Sequence, residues 1–246
     1  MQMTSKGTSL STISTGIMKH SLKLLVTKKA HIKTSPNNII YQTYILMDEQ
    51  ENQMQAVAFG TDVKRFDNIL QEGHIYHVSN VIVSPMDIRY QICNNDKQIK
   101  FTRNSEVSES TEESNIKQPD VEYTSLDNLQ QIPQLSNKLL NVMVVVVETK
   151  PLLTFSKSNN STGYVQDITV VDESFKPTII SFWDEYATIE ATKIGELLKD
   201  TLPIISAIRL RQTTYQGLSL STTSMTTITI NPNTSRSNVL KKWYVF

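Results

Sequence analysis

The sequence predicts an all-β fold with short helices, arranged as two small barrels in tandem. Three observations carry this. The chain writes one strand-turn-strand motif twice: Ile45-Leu-Met-Asp48-Glu49 leads to a strand ending at Phe59, and Ile168-Thr-Val-Val-Asp172-Glu173 leads to one ending at Phe182-Trp183. The copies lie about 124 residues apart, half of a 246-residue chain, and two domains of about 120 residues suit that length. Apolar runs have strand length and are separated by polar turns. Finally, a stretch with helical spacing follows each copy, Gly60 to Leu70 and Asp184 to Leu198.

Taken in order, residues 1–18 are rich in Ser, Thr and Met without a continuous apolar core, and read as a flexible arm rather than a signal peptide. The first barrel is expected over 19–104. Residues 19–30 form its first strand, and His31 to Asn38, with Pro36 and two Asn, a loop. Ile39 to Asp48 is the second strand and Met54 to Phe59 the third, with Gln55, Val57 and Phe59 on one face and Met54, Ala56 and Ala58 on the other. Val63, Phe66 and Leu70 recur at helical spacing, and Gly73 suits a turn. His74 to Val83 is the fourth strand, broken by Ser84-Pro85. Tyr90 to Cys93 and Gln98 to Thr102 complete the set. Three strands, a helix and two strands is the connectivity of the five-stranded OB-fold barrel, which binds ligands across strands two and three and the adjoining loops.

Residues 105–119 are acidic, Ser-rich and Pro-ended, and read as a linker. The second barrel, 120–246, repeats the plan. A short helix over Thr124 to Gln130 leads into strands at 139–149, 164–171 and 178–183, with a long first loop at 150–162. A helix at 185–199 and strands at 202–211 and 218–230 follow, and a closing helix at 235–243 sets Val239 and Trp243 at i, i+4 spacing. The Asp48-Glu49 and Asp172-Glu173 pairs read as hairpin turns.

Composition narrows the chemistry. With 7 Gly and no GxxxxGK or GxGxxG, no phosphate-cradling loop is expected. Cys93 is the sole cysteine, so no internal disulfide and no cysteine-based zinc site is expected. The longest apolar run, Val142 to Val147, is far short of the ~18–20 residues of a membrane span. His20, His31, His74 and His77 show no ligand spacing with Asp or Cys, and no GxSxG or HExxH occurs, so neither catalysis, metal nor cofactor is expected.

The net charge of zero does not announce nucleic acid, but its distribution is uneven. Residues 19–104 carry a net +3, while 105–120 carry −4. Affinity for a nucleic acid must therefore lean on more than counterion release. Single strands are held by aromatics that stack on bases and by basic side chains along the backbone. Candidate platforms are Phe59 and Tyr90 in the first barrel and Trp183 and Tyr215 in the second, with Lys33, Arg89, Lys157 and Arg211 nearby in sequence. An aromatic ending a strand can equally be core packing. Phe182 and Trp183 point to opposite faces, so one is expected inside and the other out. Phe66, Phe101, Phe175 and Phe182 read as packing, and Tyr41, Tyr44 and Tyr164 fit either role.

With these elements placed, the chain resembles the large subunit of replication protein A over residues 19–246, in its two central DNA-binding barrels and in the style of shortened plant relatives. The resemblance rests on ILMDEQENQMQAVAFGTDVKRF (45–66), PDVEYTSLDNL (119–129), SFWDE (181–185) and YQGLSLSTTSMTTITINP (215–232) followed by LKKW (240–243). It implies a single-stranded DNA-binding protein of the nucleus, acting in replication, repair, recombination or telomere maintenance, with RNA also compatible. Replication and repair proteins are the implied partners; no membrane is. It places base stacking on Phe59, Tyr90, Trp183 and Tyr215, and backbone contacts on Lys33, Lys157 and Arg211. Tyr stands where Phe is usual at each barrel's second platform. Gln55 stands where the family has a basic residue, which points to a lost phosphate contact. The family's N-terminal interaction barrel and C-terminal zinc barrel have no counterpart, so heterotrimer assembly is not expected. The rival reading is a protein-interaction module with weakened or lost nucleic-acid binding.

Overall fold

The computed structural model describes residues 9–112, 116, 119–133, 138–157, 160–214 and 217–244. It divides into two compact units, Met1–Pro119 and Asp120–Phe246.

The first unit contains β1 (Gly16–Met18), β2 (Leu22–Lys29), β3 (Lys33–Thr34), β4 (Ile40–Met47), β5 (Gln53–Phe59), α1 (Asp62–Ile69), β6 (Ile75–Ser79), β7 (Val81–Pro85), a 3-10 turn at Ile88–Tyr90, β8 (Lys97–Lys100) and β9 (Glu106–Glu109). They pair in the order β1-β7-β8-β5-β4-β2-β6-β9, with β3 beside β4. The β5–β8 pair is parallel. The expected fourth strand is two, β6 and β7, parted at Asn80, whose φ of 53° asparagine tolerates better than most residues. One half pairs with β2 and the other with β8, so the sheet returns on itself in OB order.

Alternation decides what lies inside. Met54, Ala56 and Ala58 of β5 join Tyr44 and Leu46 of β4 and Leu24 and Val26 of β2 in the core. Burial of each larger side chain contributes about 1.5–3 kcal/mol. Val63 and Phe66 bring α1 onto that core, and Phe66 stacks on Phe101 with centroids 4.6 Å apart.

The second unit begins with a 3-10 helix at Leu126–Gln131. It continues with β10 (Leu140–Thr149), β11 (Leu153–Ser156), β12 (Thr162–Val171), β13 (Thr178–Trp183), α2 (Glu185–Thr188), α3 (Glu190–Leu197), β14 (Ile204–Thr213), β15 (Ser219–Ser221), β16 (Thr227–Ile230) and α4 (Ser235–Tyr244). Pairing runs β10-β12-β13-β15-β14, and β10 also pairs with β14, which closes a five-stranded ring. The expected single helix bends at Ile189, and the expected fifth strand splits around a turn in which Thr223 and Thr226 both donate to the Arg209 carbonyl. In α4 Ser237 and Leu240 are buried, while Val239 is exposed. Arg236 forms a bidentate pair with Glu173 at 2.6 Å, which ties α4 to the β12–β13 turn.

Four expectations are corrected. Residues 9–18 are not a flexible arm: Leu10, Ile13 and Met18 are buried in the first core, and β1 pairs with β7. Three apolar side chains spread through a Ser/Thr-rich stretch leave no periodic signal. The acidic segment is not wholly a linker either. β9 pairs with β6, and Ile116 packs with Leu25 and Met47. Polar contacts accompany the docking, with Lys23 Nζ 3.2 Å from Glu112 and His74 Nδ1 hydrogen-bonded to Glu109 at 2.6 Å. Glutamates on a terminal strand also discourage pairing with another chain. No strand forms at 90–93. Asp87 accepts a hydrogen bond from the Arg89 amide and starts a 3-10 turn there.

The fourth correction concerns the repeated Asp. Asp48 is buried and accepts hydrogen bonds from Ser9 Oγ and the Leu10 amide, both at 2.8 Å. Asp172 is buried likewise and accepts from Ser125 Oγ at 3.0 Å and the Leu126 amide at 2.8 Å. Each barrel is thus preceded by a Ser-Leu pair fastened to its own strand-turn-strand motif. The duplication is longer than the hairpin that revealed it.

Candidate nucleic-acid interface

In unit 1 the strand registers set Lys33 opposite Tyr41 and Tyr41 opposite Phe59, one row across β3, β4 and β5. Phe59 ends β5 on the outer face with 45% of its surface exposed, while Ala58 before it is fully buried. The Phe59 and Tyr41 rings lie 6.2 Å apart at 39°, an open aromatic shelf with Lys33 at its edge. Along the same face Val57 and Gln55 are buried, and the Gln55 Oε1 finds no donor among the described residues. Nearby, Asn95 donates to the Gln53 carbonyl at 3.3 Å, so the β7–β8 connection is fastened to β5.

That connection carries Tyr90, exposed at 65%, with the Arg89 guanidinium 5.6 Å from its ring centroid. Arg89 also pairs with Asp87 at 2.6 Å. Hydrogen bonds from the Arg89 side chain and backbone hold the Asp87 carboxyl below its usual range. The pair is solvated, so an incoming phosphate can displace it at little cost.

In unit 2, Trp183 takes the place of Phe59. It ends β13 opposite Val165, with 39% of its surface exposed, and Phe182 before it is fully buried. Its amide donates to Thr222 Oγ1 at 3.0 Å, which fixes the backbone beneath the ring. The long first loop forms a hairpin of β11 on β12 and brings Phe155 edge-on to Trp183, 5.4 Å between centroids at 80°. Phe155 lies directly over Gly163; a Cβ there would come within 2.3 Å of its ring. Gly163→Ala should therefore push Phe155 off Trp183, seen as a change in Trp183 fluorescence, with a thermal midpoint lower by a few degrees. An unchanged spectrum would show that Phe155 does not rest on the tryptophan.

Lys157 also belongs to this hairpin, and its Nζ lies 2.7 Å from Asp184 Oδ1, next to Trp183. A groove of about 330 Å³ opens beside the ring, lined by Lys150, Leu153, Val165, Asp167, Trp183 and Thr213. Arg211 is exposed on β14, opposite Ser221 at the groove's margin. Tyr215 lies outside the described residues.

The structure thus brings Lys33 to Phe59 through Tyr41, Lys157 to Trp183 through Asp184, and Arg89 to Tyr90. Sequence reasoning left Tyr41 open and assigned no role to Phe155 or Asp167. Gly163, directly across the hairpin from Phe155, is the local sign that a ring lies over the strand. Among the described residues no three His, Cys, Asp or Glu side chains gather into a metal site.

Comparison with known proteins adds the lineage. A family model described as domain of unknown function DUF223 matches residues 17–131. A replication protein A 70 kDa DNA-binding subunit of Oryza sativa subsp. japonica is 29% identical over 229 residues, covering 91% of this chain and 36% of that protein. Its Arabidopsis thaliana namesake is 28% identical over 91% of this chain and 38% of its own length. Replication factor A protein 1 of Schizosaccharomyces pombe is 24% identical over 92% of this chain and 36% of its own. The chain therefore spans little more than a third of these curated relatives. Among solved structures, a replication protein A heterotrimer bound to ssDNA superposes with a TM-score of 0.87 at 22% identity, covering 97% of this chain and 55% of that one. Along nine-tenths of its length the chain is thus similar to replication protein A and replication factor A large subunits of two plants and a yeast, and it shares the fold of the replication protein A structure.

Proposed function

We propose that this chain binds single-stranded DNA through the outer faces of both barrels. One observation carries the reading. The last residue of the third barrel strand is an outward aromatic in each unit, Phe59 and Trp183, backed by a buried neighbour and attended by a lysine from the first loop. Nothing in barrel packing requires that combination twice. A base stacked on each ring replaces water on an exposed apolar face, and each stack contributes roughly 1–3 kcal/mol. Tyr90 and Tyr215 supply second platforms, and Lys33, Arg89, Lys157 and Arg211 meet the backbone phosphates. Two modest sites on one chain gain affinity because binding at one raises the effective concentration at the other. The names of the relatives favour this reading over a protein-interaction module, and replication or repair in the nucleus is its natural setting.

The test is a titration with oligo-dT at low salt. Saturable quenching of tryptophan fluorescence is expected, with duplex of the same length competing poorly. Four cation contacts predict a log–log salt slope of about −3. Absence of saturable binding at low salt overturns the proposal.

A further inference from the structure

The outer faces of the two barrels align residue by residue through their strand registers. At the first step Tyr41 lies opposite Phe59 and, in unit 2, Val165 opposite Trp183. At the next step the barrels diverge. Unit 1 pairs Thr43 with Val57, whereas unit 2 pairs Asp167 with Ser181. The Asp167 carboxylate lines the same groove as Trp183, and 12% of its side chain is exposed. Ser181 Oγ donates to Oδ1 at 2.7 Å, and Lys150 Nζ forms a long ion pair with Oδ2 at 4.0 Å, without a direct hydrogen bond. A carboxylate has about four lone-pair sites, so acceptor capacity remains within the groove.

We propose that Asp167 makes the second unit select guanine over thymine in the groove beside Trp183. The inference deepens the proposed function and rests on it. Phosphates gain nothing from a carboxylate; Ser181 and Lys150 occupy part of the Asp167 carboxylate, and the acceptor capacity that remains lies in the groove. Unpaired bases leave their Watson–Crick edges open to side chains, and an ionised carboxylate can only accept. Guanine presents adjacent donors, N1–H and the 2-amino group, that match both oxygens. Cytosine and adenine offer one amino group beside a ring-nitrogen acceptor. Thymine offers one N3–H between two carbonyl oxygens, which the carboxylate repels. Lys150, at the same wall, offsets the repulsion of the strand's phosphates. Unit 1, with Thr43 and Val57 in the corresponding places, has no such reader at this step and stacks without choosing.

The experiment uses the full chain and fluorescence anisotropy. Labelled oligo-dT is compared with the same oligomer carrying isolated guanines, adenines or inosines, the last lacking only the 2-amino group of guanine. The guanine oligomer should bind about tenfold tighter than oligo-dT, as a bidentate base contact predicts. Most of that gain should vanish with inosine, with Asp167→Ala, and with isosteric Asp167→Asn, in which an NH₂ donor replaces one acceptor. Equal binding of guanine and thymine oligomers overturns the inference. So does a guanine preference that survives both inosine and Asp167→Ala, or one that adenine matches through purine stacking. Binding of no oligomer would remove the proposed function as well, whereas equal binding of all removes base selectivity alone.

Discussion

Trp183→Ala should weaken oligo-dT binding roughly 5- to 150-fold, the 1–3 kcal/mol of one base–aromatic stack. The effect should be large because this ring is held ready. The Trp183 amide is anchored on Thr222, Phe155 braces one edge, and the groove opens at its side. Little ordering remains to be done when a base arrives, so little of the stacking energy is lost to entropy. Stability should change much less, since the core beneath depends on Phe182, which is fully buried. The protein has two tryptophans, Trp183 and Trp243, so the variant keeps Trp243 as a reporter of folding. Trp183→Phe should restore most of the affinity. Phe59→Ala should act in the same direction in unit 1, where Tyr41 remains as part of the shelf. Wild-type affinity in Trp183→Ala at low salt would exclude stacking there.

Asp172→Ala should destabilise unit 2 by about 2–4 kcal/mol, measured by urea unfolding followed through the tryptophans, both of which lie in that unit. Removal of the carboxylate leaves the Leu126 amide and the hydroxyls of Ser125 and Ser174 without their acceptor. A buried donor left unpaired costs more than the hydrogen bond contributed. Burial alone would raise the Asp172 carboxyl; hydrogen bonds from Ser174, Leu126 and Ser125 outweigh it and hold the group below its usual range. Asp48 behaves alike, with burial opposed by hydrogen bonds from Leu10, Ser9 and Asn52. A carboxyl whose folded pKa lies below its unfolded value of about 3.9 contributes stability that is full above that value and fades as pH falls through the folded one. Wild-type protein should therefore lose stability steeply below about pH 4, and Asp172→Ala should show a shallower acid limb. Parallel acid limbs would mean that Asp172 carries none of the dependence. Asp48→Ala should lower the stability of unit 1, seen by calorimetry, while leaving the tryptophan signal of unit 2 unmoved.

Much of the fold was legible because strand period and duplication are local signals. The alternation Met54, Ala56, Ala58 against Gln55, Val57, Phe59 needs only the two-residue repeat of a strand, and the structure buries the first set in the core. The opposite orientation of Phe182 and Trp183 follows from the same period. Leu10, Ile13, β9 and Ile116 were not legible. Their burial depends on strands distant in sequence that supply an edge, a carboxylate or a cation.

The candidate site divides in the same way. The sequence by itself determined that each barrel ends its third strand in an aromatic, because composition and period act on neighbouring residues. Tertiary structure alone decided that Phe155 braces Trp183, that Lys157 is held by Asp184, and that Asp167 rather than a neutral side chain lies on the groove floor. Those relations follow from hairpin register and strand pairing, and a shift of one residue would turn every one of these side chains to the other face.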